Sequence, residues 1–235
     1  MNITIDLHVH THYSGCSNLR PERIEPLALE NGLNAVAICD HNSLDGALET
    51  AALAKSITVI IAEEIVTTHG EIIGYFLNEH IPPGLSPIET VAEIKRQGGL
   101  ASVPHPFDQL RSSRLKSGAL KQVLDSIDMI EVFNARNMFN HPDRKLLNLS
   151  RKLGVVPVVS SDAHLACEIG RATMVMENYE SPEDFLSKLR KARCFTRKSP
   201  PWVHAATKLI RLRNAKRTSG PPSCTKNNNP THTPE

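Results

Sequence analysis

Histidines and carboxylates gather at five places in this chain where an apolar run gives way to polar sequence, and each place has the residue types of a metal site. In DLHVHT, His8 and His10 lie two apart. In an extended strand that spacing puts both imidazoles on one side, within reach of one cation. Asp40 and His41 follow the apolar run NAVAIC, and Glu63 and Glu64 follow ITVIIA. Two carboxylates after a buried strand are costly unless cations neutralise them. A carboxylate can also bridge two metals, which a neutral imidazole cannot. His105 stands between Pro104 and Pro106, and prolines on both sides restrict the backbone and aim the ring. Asp162 and His164 in SDAH, after VVPVV, repeat the spacing with one hard oxygen and one imidazole. Taken singly, each has a bland explanation: a solvated loop histidine, a helix cap at Asn42 or Ser43, a surface glutamate. Five such strand ends in one chain do not.

These groups must be positioned by the elements that precede them. Short β-branched runs alternate with helical stretches, and the pattern predicts strands at 2–7, 34–39, 57–62, 71–77, 100–103, 129–133, 155–159 and 172–176. Helices are predicted over 21–31, 44–55, 87–97, 119–126, 142–153 and from a Ser181 cap through Arg193, with Pro26 a possible kink in the first. Continuous Val/Ile runs separated by helices predict a parallel sheet covered on both faces. Seven or so such units favour a distorted (β/α)7 TIM-like barrel, whose C-terminal strand ends share one rim. No glycine-rich phosphate loop follows the first strand, which argues against a Rossmann arrangement.

The 235 residues suit one large domain of ordinary composition, 40% hydrophobic and 22% charged. Aromatics are only 4%, so a base-stacking platform is not expected. Residues 198–235 carry seven Lys/Arg against one acid, leaving a body near −4 and a tail near +6. A mildly acidic body suits cation binding rather than a nucleic-acid surface. The expected organisation is a barrel over 1–197, a basic helix over 198–213 and a disordered tail over 214–235. Five cysteines (16, 39, 167, 194 and 224) without CxxC pairing read as reduced thiols. With no leader pattern and no apolar run of membrane-spanning length, a cytoplasmic protein is expected.

The ordered set DLHVHT, ICDHN, AEE, PHP and SDAH resembles the polymerase and histidinol phosphatase (PHP) family over about residues 3–197. That resemblance implies a barrel holding two or three divalent ions. It implies one ion on His8, His10, Glu64 and Asp162, a second bridged by Glu64 and held by His105, and a third on His41 and His164. Asp40 matches the acidic residue before the motif histidine, and Glu64 rather than Glu63 matches the motif glutamate. The chain departs from the pattern at Cys16, in the loop after the first motif, at Asn134, where a histidine often stands, and at Glu71, which replaces another histidine.

Mixed imidazole and carboxylate ligands suit Zn, Mn or Fe better than Ca or Mg. The chemistry expected is hydrolysis of a phosphate ester by a metal-activated water. Arg136 and Arg171 are candidates to grip the phosphoryl group, and Asp40, His41 or His164 to protonate the leaving oxygen. The expected partner is a small phosphorylated substrate or a short nucleic acid. Alternatives are a 5'-3' exonuclease, a metal-binding module without activity, and an amide hydrolase, which usually needs a strand-end lysine this chain lacks.

Overall fold

The computed structural model of the chain describes residues 2–106, 108, 110–138 and 144–218. Strands β1 (Asn2–Val9), β2 (Ala35–His41), β3 (Thr58–Thr67), β4 (Gly70–Tyr75), β5 (Leu100–Val103), β6 (Met129–Asn134) and β7 (Val156–Ser160) are successive neighbours in one sheet. β8 (Ala172–Glu177) and β9 (Arg193–Thr196) extend it beyond β1. The helices are α1 (Pro21–Glu30), α2 (Asp45–Leu53), α3 (Pro87–Arg96), α4 (Ser117–Val123), α5 (Arg144–Leu153), α6 (Pro182–Leu189) and α7 (Trp202–Thr218). Start signals are local: Ser86 and Glu89 form a capping box on α3, and Ser181 caps α6 ahead of Pro182.

The sheet curls into a nearly closed, distorted (β/α)7-type barrel, and β1 is where it closes. One edge of β1 pairs with β2. The other is divided: Asn2–Ile5 pair with β8, and Val9 bridges to Ala163 just beyond β7. In that bridge the amide of Ala163 donates to His8 O at 3.1 Å and the amide of His10 donates to Ala163 O at 2.9 Å. The seam therefore runs through two histidines and the SDAH segment.

The sheet is mixed rather than parallel. β1–β2, β2–β3, β5–β6 and β6–β7 are parallel, but β4 runs against both β3 and β5. Only Thr68 and His69 separate β3 from β4, too little chain for the crossover a parallel pair needs. Gly70 has φ +124°, and a Cβ there would lie 2.5 Å from Arg114 O, so the hairpin exit needs glycine. β1, β2, β3 and β6 also run past their predicted ends, so Glu63 and Glu64 lie inside β3 instead of after it. The helix predicted through Arg193 stops at Leu189 and β9 follows, wholly exposed and so without the in–out alternation that betrays a strand. The basic helix runs to Thr218, past the predicted stop at Arg213. Residues 219–235, most of the predicted tail, and 139–143, which include the first two residues of the helix predicted over 142–153, lie outside the described residues. No described helix is long and apolar enough to cross a membrane.

The core has two parts. Ile3, Ile5 and Leu7 pack with Ala35, Ala37, Cys39, Ile60 and Ala62 in the larger one. Val9, Val36 and Ile38 pack with Ile24, Leu27 and Ala28 of α1 in the other. A bulge breaks strict alternation in β1: Asp6 pairs with Val36 and Val9 with Ile38, one residue more on β1 than on β2. The extra residue lets Leu7 and His8 share the inner face, after which Val9 turns out and His10 turns in. β6 does the same. Glu131 pairs with Val158 and Phe133 with Val159, so Glu131 and Asn134, three apart, both face the interior.

Candidate metal centre

Four side chains converge inside the rim beside the seam. His8 Nε2 and His10 Nε2 are 3.0 Å apart. Glu64 Oε2 lies 3.5 Å from the first and 3.4 Å from the second, and Asp162 Oδ1 lies 3.8 and 3.3 Å from them. A tetrahedral ion with nitrogen and oxygen ligands at about 2.0–2.1 Å has edges of about 3.3–3.4 Å, so the cage fits a transition-metal ion. Glu64 Oε2 and Asp162 Oδ1 are buried without a hydrogen-bond partner. Buried carboxylate oxygens are usually satisfied, and a cation placed among the four atoms would satisfy both.

The surroundings set which atom each ligand offers. His8 Nδ1 is 2.9 Å from Glu131 Oε1; a carboxylate only accepts, so Nδ1 carries a proton and Nε2 is the atom turned toward the cage. Glu131 also receives the Ser160 hydroxyl, the His105 amide at 2.7 Å and Asn134 Nδ2 at 3.1 Å. The Ser14 hydroxyl donates to Asp40 Oδ1 at 2.5 Å and accepts from His10 Nδ1 at 3.0 Å and from the His41 amide at 3.1 Å. This fixes His10 Nε2 as the free atom. His164 Nδ1 donates to Asp162 O at 2.8 Å, which frees its Nε2.

A second group adjoins the first through Glu64. Its Oε1 is 3.1 Å from His105 Nε2 and its Oε2 is 3.1 Å from His41 Nδ1. Glu71 closes this group, 3.7 Å from His105 Nε2 and 3.8 Å from His41 Nδ1. His10, His41 and His164 make a third cluster, their rings 4.3–6.4 Å apart between centroids. The buried Cys16 borders the same cavity as His41. Backbone strain collects here too: His105 and Asp162 have φ of +30° and +55°, unusual for residues with a side chain and common at functional sites.

Electrostatics keep the two carboxylates ionised and divide the imidazoles. Burial pushes Glu64 and Asp162 up, but cationic neighbours outweigh it and hold both well below the usual carboxylate range: His8 and His41 for Glu64, Arg111 and His8 for Asp162. Burial lowers His10 to about 4 and His164 well below the imidazole range. Burial also lowers His8, but Asp162, Glu64 and Glu131 overrule it and raise it well above that range. With Nδ1–H committed to Glu131, the extra proton on His8 sits between the two Nε2 atoms. A cation entering the cage displaces it.

Three sequence expectations are corrected. Asp40 does not face the cluster: one oxygen receives the Thr11 amide at 2.6 Å and the Ser14 hydroxyl, the other the Thr11 hydroxyl at 2.5 Å, so it acts through Ser14. Arg136 is buried and committed, 3.0 Å from Glu168 Oε2 and donating to Thr207 Oγ1 at 2.8 Å. Glu168 in turn receives the His164 amide. Arg171 does not line the cavity; it donates to Cys167 O and Lys198 O. The Asn134 amide oxygen accepts the Arg136 amide while its Nδ2 donates to Asp162 Oδ2 at 3.2 Å, so its carboxamide is engaged at both ends.

Residues that sequence reasoning did not assign complete the site. Arg111 pairs with Asp162 Oδ2 and lines the cavity over the cluster; its loop gave no signal. Glu131 had one, a carboxylate inside the apolar strand MIEVF, where a buried charge demands partners. Above the cluster lies a cavity of about 630 Å³, walled by His41, Glu71, His164, Arg111, Ser113 and α7.

Comparison with known proteins gives relatives of this arrangement. A family profile described as PHP-associated matches residues 140–194. Two uncharacterised proteins of Methanocaldococcus jannaschii are similar: one is 45% identical over 55% of this chain and 81% of its own length, the other 35% identical over 78% and 76%. Among solved structures, a two-domain protein from Bacteroides vulgatus containing a predicted PHP-like metal-dependent phosphoesterase superposes with a TM-score of 0.67 at 16% identity, over 84% of this chain. This chain spans 65% of that protein's length.

Proposed function

Since this chain belongs to the polymerase and histidinol phosphatase (PHP) family, we propose that it hydrolyses a phosphate ester with divalent ions held by its buried cage. The observation that carries the reading is the cage itself: four donor atoms at coordination spacing, two of them buried carboxylate oxygens without a hydrogen bond. His8, His10, Glu64 and Asp162 would hold one ion, and Glu64, Glu71, His105 and His41 a second. Divalent ions bound there supply Lewis acidity, lowering the pKa of water and neutralising phosphoryl oxygens.

The chain's own residues do the rest. Arg111, fixed on Asp162, directs its guanidinium charge toward an anionic group in the cavity. His41 stands at the cavity wall, where Glu64 overrules burial and keeps the imidazole protonated. Where it is not committed to the second ion, it is the side chain best placed to give a proton to the leaving oxygen. His164 presents a neutral Nε2 at the same wall. It serves there as a proton acceptor or, with His10 and His41, as a third cation site, and counting the ions separates the two. A small ester suits the cavity better than a nucleic-acid strand, because among the described residues lining the cavity no Phe, Tyr or Trp offers a base a broad face to stack on.

The test is elemental analysis of the purified protein, followed by phosphate release from sugar phosphates, nucleotides and short oligonucleotides with Mn, Zn or Fe added. His8→Ala and Asp162→Ala should each abolish turnover while circular dichroism stays unchanged. Wild-type rates in either variant would refute the ligand assignment. A chain that takes up ions but turns over no ester would instead be a binding module.

A further inference from the structure

Helix α7 lies across the mouth of the metal centre. Its residues His204, Thr207, Lys208, Arg211 and Leu212 share one cavity wall with His41, Glu71 and His164. The helix is tied down at both ends of that span. Val203 is fully buried, Thr207 accepts from Arg136 at 2.8 Å, and Asn214 Nδ2 donates to Gly15 O at 2.9 Å, in the loop beside Cys16. Positions 204, 208 and 211 follow the i, i+4, i+7 spacing of a single helix face. At the α-helical rise they span about 10 Å along the cavity.

Two of these side chains are cations without an assigned task. Among the described residues neither Lys208 nor Arg211 forms an ion pair with a carboxylate, although the chain holds 25 acidic residues. Two other cations lining this cavity, Arg111 and Arg136, each have a carboxylate partner. One phosphoryl group held at the metal centre beside Arg111 does not extend over two further turns of helix.

Resting on the phosphoesterase reading above, we propose that Lys208 and Arg211 form a second anion subsite. The substrate class is then an organic phosphate ester bearing another anionic group, a phosphate or carboxylate, on its leaving portion. α7 thereby sets specificity, and the scissile phosphate is placed by anchoring the far end of the molecule.

The test measures binding, with no turnover required. Full-length protein loaded with Mn is titrated calorimetrically with α,ω-alkane bisphosphonates of graded length and with the matching monophosphonates, none of which can be hydrolysed. The best bisphosphonate should bind roughly tenfold tighter than its monophosphonate, the scale of one charge-assisted hydrogen bond. The double variant Lys208→Ala/Arg211→Ala should bring that ratio to within about twofold of unity, and Lys208→Arg should retain most of it. A ratio near unity in the wild type at every length, or one that the double variant leaves intact, overturns the subsite. The two readings fail separately. A subsite that behaves as expected in a protein hydrolysing no ester removes only the enzyme assignment, and ester hydrolysis without the bisphosphonate advantage removes only the subsite.

Discussion

Replacing Glu131 by glutamine changes no volume and should still disable the cage. The carboxylate collects four donors: His8 Nδ1 and the Ser160 hydroxyl on Oε1, the His105 amide and Asn134 Nδ2 on Oε2. Glutamine must put an NH2 at one end. Placed at the Oε2 position it faces a backbone amide and a carboxamide, neither of which can become an acceptor there, so two hydrogen bonds are lost. Placed at the Oε1 position it meets a hydroxyl, which can rotate, and an imidazole, which can shift its proton. The second arrangement is cheaper. It removes the proton from His8 Nδ1 and leaves one on Nε2, the atom 3.0 Å from His10 Nε2, and the lone pair then points at the side chain at 131 instead of into the cage. Restoring it on metal binding costs affinity of about 10- to 100-fold, or about 1.4–2.7 kcal/mol, the usual scale for losing a ligand's supporting carboxylate. Competition with a chromophoric chelator measures the affinity, and nitrogen NMR of the metal-free variant reports which His8 nitrogen is protonated. Affinity within about twofold of wild type, in a variant that still unfolds cooperatively, would refute the argument that Glu131 sets the tautomer.

Ser14→Ala removes the acceptor for both His10 Nδ1 and the His41 amide; the expected result is a metal affinity lower by about tenfold or more, read by the same competition assay. Gly46→Ala puts a Cβ 2.0 Å from Asp40 Oδ2 and 2.2 Å from Thr11 Oγ1. Denaturant unfolding should show a loss of about 2–4 kcal/mol from overpacking and broken charge-assisted hydrogen bonds, far more than alanine's helix propensity returns. Asp6 is raised by burial from 3.8 to about 6, against the opposing hydrogen bonds from Ser161 and Gly170. The folded state therefore keeps a proton that the unfolded chain has already lost, so the metal-free protein loses stability as pH climbs from near 4 to near 6. Asp6→Asn removes this dependence. The stability difference between variant and wild type should shift in the variant's favour by about 3 kcal/mol across that window, and a pH-independent difference would contradict it.

Much of this protein is legible in its residues one segment at a time. The apolar runs mark the strands, Ser86, Pro87 and Ser181 announce helices, and the histidines of DLHVHT, PHP and SDAH stand out because a polar cluster at the end of a buried strand has few structural uses. A repeating hydrophobic period and a cap are local properties, so they survive being read along a line. Other features depend on which segments meet. The two-residue turn at Thr68 and His69 reverses β4 and brings Glu71 into the site as a carboxylate, where the family pattern has a histidine. The bulges in β1 and β6 are defined only against their partner strands, yet they decide that His8 faces inward and that Glu131 and Asn134 face the same way. Asp40 and Arg136 carried the right chemistry for the site, but each found nearer partners, Thr11 and Ser14 for one and Glu168 for the other. Arg111 and α7 gave no sign of belonging to the site, because charge on a loop or a terminal helix usually faces solvent. Residue type states what a side chain can do. Whether it does so is settled by the neighbours that folding supplies, since a buried charge must be matched by groups that lie far away along the chain.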